Sequence, residues 1–437
     1  MQQTVRLGLV GLGTVGTGVV QMLRKNLTLV ERKVGAKVEV SALCDRDKSR
    51  LKAAKAILKN GRRATKQDYR EIVDDPTIDI VVELIGGYEP ARTVVLSALE
   101  RGKHVVTANK ALLAKHWDEV FSVASERKLL VYFEAAVGGG IPVIQALNEG
   151  LAGNRIEKIV GILNGTTNFI LTRMSQEGLD FKTALAQAQR SGFAEPDPTF
   201  DVEGIDAAHK LSILASIASG AWMRLEQISC EGITKLDIRD LRFALDKLGY
   251  EIKLLGVAKN HGGAWEARVH PTLIPRSHPF SAVHDEYNAI FIHGDAVRDV
   301  MFYGKGAGQM PAASAVVSDI IYLARGVANA TAGKVPYVTY QRGTRLRMVP
   351  DKEIETQFYL RFLTVDRPGV LARIAGILSQ NDVSIASVHQ DEKHPQGGVP
   401  ILIVTHAAKT GAIQRSIAKI DRLPTVTART VALRIER

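Results

Sequence analysis

Cysteine is scarce in this chain, which contains only Cys44 and Cys230 among its 437 residues. Two cysteines exclude a disulfide framework, a four-cysteine zinc site and an iron–sulfur cluster held by cysteines. Aromatic residues are also few, at 6% of the chain, and none lies among the basic residues between positions 46 and 66. That stretch therefore lacks the aromatic platform on which single-stranded nucleic acids stack.

Long hydrophobic runs are missing as well. The longest apolar run without a charge covers residues 211–223, which is shorter than the roughly 18 residues that span a bilayer. The apolar start of the chain contains glycines and Arg6, a pattern typical of a strand and turn rather than of a secretory signal. These observations predict a cytoplasmic protein without a membrane segment.

The rest of the composition is that of an ordinary globular protein, with 46% hydrophobic residues, 24% charged residues and a mean hydropathy of 0.00. A chain of this length is expected to form about three domains. The net charge is +11, and most of the excess lies before residue 136. The densest basic stretch contains Arg46, Lys48, Arg50, Lys52, Lys55, Lys59, Arg62, Arg63 and Lys66. Such a cluster either attracts phosphate groups or nucleic acid or forms a solvated helix face.

Alternating strand and helix patterns predict the fold class. Five short β-branched runs separated by amphipathic stretches indicate a doubly wound, Rossmann-type parallel sheet over residues 1–136. Residues 137–341 have a mixed pattern that predicts a second, α+β domain. Residues 342–355 are polar and predict a linker, and residues 356–437 follow the order βαββαβ.

A glycine-rich loop follows the first predicted strand. Gly11, Gly13 and Gly16 fit the G-x-G-x-x-G pattern between a strand and a helix, which is the context required for dinucleotide binding. At the end of the second predicted strand, Asp45 would bind the ribose of NAD, whereas Arg46 would accommodate the extra phosphate of NADP. The basic stretch favours NADP, and NAD remains open.

Two further segments carry candidate chemistry. Lys110 lies just beyond the carboxyl end of the fourth predicted strand, where open α/β sheets bind ligands. In residues 192–211 an acid-rich stretch leads into an apolar helix, and Asp206 and Lys210 share one face of that helix. Taken alone, Lys110 is equally explained as a surface charge, and the Asp206–Lys210 pair as an ordinary i,i+4 pair.

The chain resembles homoserine dehydrogenases from the glycine loop to about residue 325. The resemblance rests on GILNGTTNFIL (161–171), GFAEPDP (192–198), DVEGIDAAHK (201–210) and GKGAG followed by PAASAVVSDI (304–320). The last part of the chain, with LTVDRPGVLARIAGIL (363–378) and NDVSIASV (381–388), resembles an ACT domain. This resemblance implies a catalytic and dimerisation domain over 137–341, in which residues 308–325 pack back on the first domain, and an ACT-like regulatory domain over 356–437.

The family reaction interconverts L-homoserine and L-aspartate 4-semialdehyde with NADP or NAD, as a step toward threonine, methionine and isoleucine. The resemblance implies that Lys210 is the acid/base, that Asp206 is its partner, and that Glu195 and Asp201 hold the substrate. It also implies a role for Lys110 near both substrate and cofactor. Further cofactor contacts are implied at Gly11, Gly13, Thr14, Val15, Gly16, Arg46, Gly192 and Gly308.

The resemblance also implies a monovalent cation such as sodium or potassium. Its ligands would be a carboxylate and backbone carbonyls at Glu134, Val137, Gly139 and Ile141; a glycine-rich hinge is the alternative for this stretch. The ACT-like domain implies pairing with another copy of the chain in a homo-oligomer. It also implies an amino-acid effector, threonine, near the turns at Asp366 and Gly369 and at Asn381 and Asp382. A module that only assembles is the alternative.

Other function classes are less consistent with the sequence. A semialdehyde dehydrogenase that forms a thioester needs a cysteine nucleophile, and neither Cys44 nor Cys230 lies in a recognisable nucleophile motif. The histidines and cysteines show no spacing of zinc ligands. A sensor that binds NADP without turnover would not need the acid/base set. Nucleic-acid binding rests on net charge alone.

Overall fold

The computed structural model describes residues 3–58, 64–390 and 398–436. Its strands β1 to β18 are, in chain order, Thr4–Val10, Lys37–Cys44, Ala64–Lys66, Ile80–Glu83, His104–Thr107, Val131–Tyr132, Ile156–Ile162, Ser229–Cys230, Tyr250–His261, Ala264–Pro275, Tyr287–Gly294, Arg298–Lys305, Arg347–Met348, Glu355–Thr364, Ile385–Gln390, Val399–Thr405, Ala408–Lys409 and Val426–Ile435. Its helices α1 to α14 are Thr14–Val34, Lys48–Leu58, Arg70–Val73, Ala91–Glu100, Lys110–Glu126, Val143–Gln145, Gly165–Glu177, Phe181–Arg190, Thr199–Val202, Ile205–Ser219, Ile238–Phe243, Gln309–Ala328, Val370–Ser379 and Thr410–Ile420.

The chain forms two compact units, each built from three segments. Unit 1 comprises Met1–Gly165, Asp206–Ile228 and Glu286–Leu346. Unit 2 comprises Thr166–Ile205, Ser229–Asp285 and Arg347–Arg437. Two segments from the middle of the chain therefore group with its C-terminal part.

Unit 1 contains a parallel sheet of six strands in the order β3-β2-β1-β4-β5-β6. This order places β1 next to β4, so the sheet is wound in both directions from the centre, as predicted. All four residues of β4 are buried, which explains why the sequence shows apolar runs rather than alternation. The short edge strand β3 was not predicted; it has only three residues, and two of them are exposed.

Helices α1 and α12 cover one side of this sheet and form one apolar core with it. The core includes Val19, Val20 and Leu23 from α1 and Val316 and Ile320 from α12. The two helices approach each other closely at Gly18, where an added Cβ would lie 2.9 Å from the Cγ and the carbonyl oxygen of Gln309. Residues 308–325 therefore contact the dinucleotide-binding part of the chain through a glycine.

Helix α12 is long and apolar, so it must be considered against the prediction that the chain has no membrane segment. It is the one helix among the described residues that is long and apolar enough to cross a membrane by length and composition. Half of its most apolar 18-residue stretch is buried within the protein, where the helix packs on α1 and the parallel sheet. Its apolar character is accounted for by this packing.

Unit 1 also contains the antiparallel strands β7, β11 and β12, in the order β12-β11-β7. Asn288 on β11 is fully buried beneath Gly306, which follows β12. An added Cβ at Gly306 would lie 2.1 Å from the side-chain amide of Asn288. Glycine is therefore required here, and the chain after β12 leads directly into α12.

Unit 2 contains the strand order β9-β10-β18-β14-β16-β15. The last four strands and the helices α13 and α14 form the predicted βαββαβ arrangement, with Leu360, Phe362, Ile374, Ile403 and Ile413 in one core. The predicted linker is partly ordered: β13 pairs with β10, and residues Asp351–Glu353 form a 3-10 turn.

The end of the chain is joined to β10. Strand β18 pairs in parallel with β10 at Thr272 and Leu273, and the Glu436 N–H donates to the Leu273 carbonyl at 3.0 Å. The carboxylate of Glu436 lies 2.7 Å from Lys259 Nζ and 3.4 Å from the buried guanidinium of Arg268. Deleting residues 352–437 would therefore leave two cations on β9 and β10 without this partner.

The contact between α1 and α12 gives a prediction of stability. Gly18→Ala should lower the free energy of unfolding by about 1–3 kcal/mol, because the new methyl group has no room against Gln309. Gly376→Ala on α13 is the matched control: an added Cβ there meets no atom within 4 Å, so the better helix former should raise stability by up to about 1 kcal/mol. Thermal unfolding of both variants checks this, and equal effects would contradict it.

Candidate active site and cofactor site

The glycine loop lies between β1 and α1 and is shaped by two close backbone contacts. Gly11 has a φ of +98° and donates its N–H to the Cys44 carbonyl at 2.9 Å. An added Cβ at Gly16 would lie 2.1 Å from the Gly11 carbonyl oxygen. Thr14 and Val15 form the first turn of α1, so backbone N–H groups at a helix N-terminus face the space above Gly13, where a pyrophosphate fits.

A cavity of about 360 Å³ extends from this loop toward the end of β2. Gly11, Gly13, Asp45, Arg46 and Arg50 are among its lining residues. The cavity thus brings together the glycines and the cations that the sequence associated with a dinucleotide. Three members of the basic stretch, Lys59, Arg62 and Arg63, lie outside the described residues.

Asp45 is already bound to the backbone. Its two carboxylate oxygens accept the N–H groups of Leu12 at 2.7 Å and Asp47 at 2.8 Å. Arg46 and Arg50 are exposed, and Arg50 lies 4.0 Å from Asp45 and 3.6 Å from Asp47. The cavity wall at the end of β2 therefore contains two arginines, Arg46 and Arg50. It also contains the Asp45 carboxylate, each oxygen of which already accepts one backbone N–H.

Lys110 is fixed at the carboxyl end of β5. Asn109 caps α5 by accepting the Leu112 N–H at 3.1 Å, which makes Lys110 the first helical residue. The fully buried Glu83, at the end of β4, accepts the Thr107 hydroxyl at 2.6 Å and the Ile85 N–H at 2.7 Å. Burial raises the pKa of Glu83. The Thr107–Glu83 bond joins the end of β5 to the end of β4, close to Lys110 in the chain.

The two lysines meet at Asp206, in the first turn of α10. Asp206 Oδ1 lies 3.1 Å from Lys110 Nζ, and Asp206 Oδ2 lies 2.6 Å from Lys210 Nζ. Asp206 and Lys210 are buried, and the Lys110 side chain is 37% exposed. The predicted catalytic residues therefore form one cluster within unit 1, with Lys110 on its open side.

Two residues after β7 complete the cluster and were not predicted. The Leu163 carbonyl accepts a hydrogen bond from Lys210 Nζ at 2.7 Å, and the buried Asn164 donates its side-chain amide to Asp206 Oδ2 at 2.8 Å. An ammonium group has three N–H donors. Asp206 and Leu163 accept two of them, so a single N–H of Lys210 remains for another acceptor.

The charges in the cluster determine the state of Asp206. Burial is the largest single influence and would raise the pKa of its carboxyl group, but it is outweighed by the charges of Lys210 and Lys110 together with the hydrogen bonds from Lys210 and Asn164. The pKa of Asp206 is therefore well below its ordinary value. His209, the neighbour on α10, is buried, and burial lowers its pKa to about 4. Its ring is neutral at neutral pH, so it adds no charge to the cluster.

The predicted cation segment follows β6 and is also buried. Both carboxylate oxygens of Glu134 accept backbone N–H groups, those of Ile144 and Gln145, at 2.8 Å each. Its own N–H donates to the buried Asp319 at 2.8 Å. In the described part of the chain neither carboxyl group has a Lys, Arg or His partner within 4.0 Å. Burial raises the pKa of Glu134 to about 7.

A carboxylate oxygen that accepts one N–H keeps a second lone pair, so these hydrogen bonds leave Glu134 able to bind a cation. The predicted ligands, the Glu134 carboxylate and backbone carbonyls at Val137, Gly139 and Ile141, stay a prediction. An added Cβ at Gly139 would lie 2.6 Å from the backbone of Gly306, so this segment also touches the loop that ends at Gly308. No group of three or more His, Cys, Asp or Glu side chains with metal-binding geometry occurs within residues 3–58, 64–390 and 398–436.

Three of the predicted site residues lie in unit 2. Gly192 and Glu195 are on an exposed turn after α8, and the Glu195 carbonyl accepts the Gln189 side-chain amide at 3.1 Å. Asp201 lies within α9 and is half-buried. The roles of Glu195 and Asp201 in binding substrate and of Gly192 in binding the cofactor stay predictions.

The two cysteines are free thiols. Burial, with the neighbouring Asp45, raises the pKa of Cys44 to about 12, and burial raises that of Cys230 to about 11. Both thiols are protonated at neutral pH, which makes them poor nucleophiles. Thioester chemistry is therefore not supported by their surroundings.

Comparisons with known proteins agree over the whole chain. Residues 11–134 match the family pattern described as the NAD-binding domain of homoserine dehydrogenase, residues 142–321 the pattern of homoserine dehydrogenase, and residues 358–422 that of the ACT domain. The homoserine dehydrogenase of Pseudomonas aeruginosa is 44% identical over 436 residues, covering 99% of each chain.

Solved structures give the same result. A homoserine dehydrogenase from Thiobacillus denitrificans has a TM-score of 0.94 at 44% identity, covering 100% of this chain and 99% of its own. A hyperthermophilic archaeal homoserine dehydrogenase in complex with NADPH has a TM-score of 0.62 at 28% identity, covering 73% of this chain and 97% of its own.

A dinucleotide-binding Rossmann-type sheet beside a buried lysine–carboxylate cluster defines an oxidoreductase that uses a nicotinamide cofactor. The similarity over the full length identifies the particular group: the chain belongs to the homoserine dehydrogenase family. It carries a C-terminal ACT domain.

The contact between Asn164 and Asp206 gives the second prediction. Asn164→Ala should reduce turnover roughly 10- to 100-fold, as is typical when a residue that orients a functional group is removed. The affinity for the cofactor should not change, because Asn164 does not line the cofactor cavity. Steady-state kinetics and a cofactor titration measure this, with the exposed Asn329→Ala as control. Turnover equal to that of the unaltered enzyme would show that Asn164 does not orient Asp206.

Proposed function

We propose that the enzyme interconverts L-homoserine and L-aspartate 4-semialdehyde, with Lys210 as the acid/base. The observation that supports this most strongly is the hydrogen bonding of Lys210 Nζ, which has two acceptors of its own and one N–H left over. When bound, the nicotinamide cofactor accepts or supplies the hydride.

Lys210 handles the proton in both directions. In aldehyde reduction, negative charge builds on the aldehyde oxygen, and the third N–H of Lys210 donates its proton to that oxygen. In homoserine oxidation, neutral Lys210 keeps its two N–H bonds to Asp206 and Leu163 and presents its lone pair to the substrate hydroxyl. The hydroxyl proton moves to Nζ. The carbon that carries the hydroxyl group gives up its hydride to the oxidised cofactor, and the C=O bond forms.

Substrate binding is assigned to three charged side chains. Lys110, on the open side of Asp206, supplies a positive charge near the developing oxyanion. Glu195 and Asp201 are proposed to hold the substrate ammonium and to make a further polar contact. Gly192 and Gly308 are proposed to contact the cofactor.

Lys210→Ala should abolish measurable turnover in both directions, a loss of at least about 10²–10⁴-fold, because the proton transfer loses its donor and acceptor. Cofactor binding should remain, since Lys210 does not line the cofactor cavity. Rates in both directions and a cofactor titration measure this. The exposed Lys182→Ala serves as the control. A Lys210→Ala enzyme with nearly unaltered turnover would remove Lys210 from the chemistry.

NADP is proposed as the preferred cofactor. The support is the cavity wall with Arg46 and Arg50, beside an Asp45 carboxylate that is already hydrogen-bonded to Leu12 and Asp47. An additional phosphate is recognised by arginine through charge-assisted hydrogen bonds. The NADPH complex of the archaeal relative is consistent with this choice.

Arg46→Asp should lower the ratio of kcat/KM for NADP to that for NAD roughly 10- to 100-fold. The control is Lys52→Asp, which makes the same charge change on α2 but does not line the cavity. A ratio that falls equally in both variants would attribute the preference to net charge rather than to a contact of Arg46.

A monovalent cation is part of the proposal. Glu134 and Asp319 are buried carboxyl groups without a cationic partner among the described residues, and a bound sodium or potassium ion would offset their charge. The carbonyl groups at Val137, Gly139 and Ile141 would supply oxygen ligands. A cytoplasmic location is proposed as well and is consistent with two free thiols.

Regulation by threonine is proposed for the ACT domain, together with its pairing in a homo-oligomer. A cavity at the turn after α13 is lined by Ser379, Asp382 and Ser384, so polar groups are available to an amino acid. Asp382 has a φ of +60° and is exposed. Gly369, at the other turn, has a φ of +84° and precedes α13 directly.

Threonine should inhibit the full-length enzyme, and Asp382→Ala should weaken this inhibition roughly tenfold while leaving turnover without threonine unchanged. The exposed Arg422→Ala is the control within the same domain. A point variant is preferred to deletion of the domain, because β18 and Glu436 are bound to β10. Unchanged inhibition of Asp382→Ala would place the effector elsewhere.

A further inference from the structure

A second small cavity of unit 2 lies on the opposite side of the ACT sheet from α13 and α14. Its volume is about 270 Å³. Residues of α11 and the turn 244–248 form one wall, and residues of β14 and β16 form the other. We call it the α11 cavity. It belongs neither to the catalytic cluster nor to the turns of the proposed threonine site.

The strand wall of the α11 cavity follows from the register of the sheet. Leu360 and Phe362 of β14 point into the core with α13 and α14, so Tyr359, Arg361 and Leu363 point to the opposite face. On β16, Leu402 lies opposite Arg361, and Pro400 lies opposite Leu363. The floor of the cavity is therefore mostly apolar.

A buried ion pair holds α11 onto this face. Arg361 donates to both oxygens of Asp240, at 2.6 and 2.9 Å, and the Tyr359 hydroxyl donates to the same carboxylate at 3.0 Å. Asp240 is fully buried. The ring of Phe243 packs on Tyr359, with ring centroids 6.0 Å apart. Arg361 is thus neutralised, and the wall is built before any ligand binds.

Three exposed charged side chains line the α11 cavity: Arg242, Asp246 and Lys247. None of them forms a hydrogen bond or ion pair with the parts of the chain that the structure describes. Their spacing of four and five residues along α11 and the following turn places them on the face that meets the sheet. The turn 244–248 is π-helical, a geometry that is frequent at functional sites.

These groups together match one class of ligand. Two cations pair with a carboxylate, one carboxylate pairs with an ammonium group, and the apolar floor accepts a hydrocarbon chain. The volume lies just below the usual range of ligand sites, about 300–1,000 Å³, so only a small ligand fits. We propose that the α11 cavity binds a free α-amino acid with an apolar side chain. The carboxylate would lie on Arg242 and Lys247, the ammonium group on Asp246, and the side chain on Leu363, Pro400 and Leu402.

This inference goes beyond the proposed function, because it assigns a ligand site that the reaction and the threonine proposal do not use. A ligand in the cavity would contact α11 and the ACT sheet at the same time. It would therefore stabilise the contact that the Asp240–Arg361 pair holds.

The test uses the full-length enzyme and three probes with the same six-carbon chain: L-norleucine, hexanoate without the ammonium group and hexylamine without the carboxylate. Isothermal titration calorimetry and thermal unfolding measure binding. L-Norleucine should bind most tightly, hexanoate more weakly and hexylamine not detectably. Failure of both carboxylates to bind would overturn the proposal.

Two variants and one control variant, Asp382→Ala, locate the site. Arg242→Ala with Lys247→Ala should weaken L-norleucine and hexanoate alike, roughly tenfold or more. Asp246→Asn should weaken L-norleucine but leave hexanoate unchanged, because hexanoate has no ammonium group. Asp382→Ala should leave binding of both unchanged. Binding that survives the double variant, or that is lost in Asp382→Ala, would contradict the assignment to the α11 cavity.

Discussion

The buried ion pair between Asp206 and Lys210 is the interaction on which the proposed active site depends. A lysine in an apolar helix is costly unless its charge is compensated, and Asp206 provides the compensation one turn earlier on α10. Lys110 and Asn164 stabilise the carboxylate from two other sides. The pair would contribute little on a surface; in this cluster it determines which proton of Lys210 is available.

The elements around the pair are positioned by short, tight contacts. Lys110 follows β5, Leu163 and Asn164 follow β7, and Asp206 begins α10, so three chain segments bring their ends to one point. The glycine loop depends on a similar constraint, because a side chain at Gly16 would collide with Gly11. Gly18 lets α12 approach α1, and α12 begins directly after Gly308. The glycine loop and the lysine–carboxylate cluster are thereby built into one unit.

The periodicity of apolar residues and the chemistry of turn residues made much of the fold predictable from the sequence. The long buried strands, the glycine loop and the βαββαβ order come from local patterns, and the structure confirms them. Strand β3 has too few buried residues to produce a pattern. Contacts between distant segments could not be predicted from the sequence either. The Leu163 carbonyl that binds Lys210 has no sequence signal, and Asn164, which binds Asp206, was part of a motif without an assigned role.

The Glu134 carboxylate illustrates the same limit. The resemblance implied that it binds a cation, but the local sequence gives no sign that it also accepts the backbone N–H groups of Ile144 and Gln145. Likewise, nothing in the local sequence reveals that β18 pairs with β10. Patterns show which elements form, whereas the pairing of polar groups between elements requires coordinates.

The most direct test of the central claim is a crystal structure of the non-reacting complex with reduced cofactor and homoserine. We expect the substrate hydroxyl to lie about 2.6–3.2 Å from Lys210 Nζ, while Nζ retains its bonds to Asp206 and the Leu163 carbonyl. A hydroxyl group bound to a different side chain, with Lys210 turned away from it, would contradict the role of Lys210 as the acid/base.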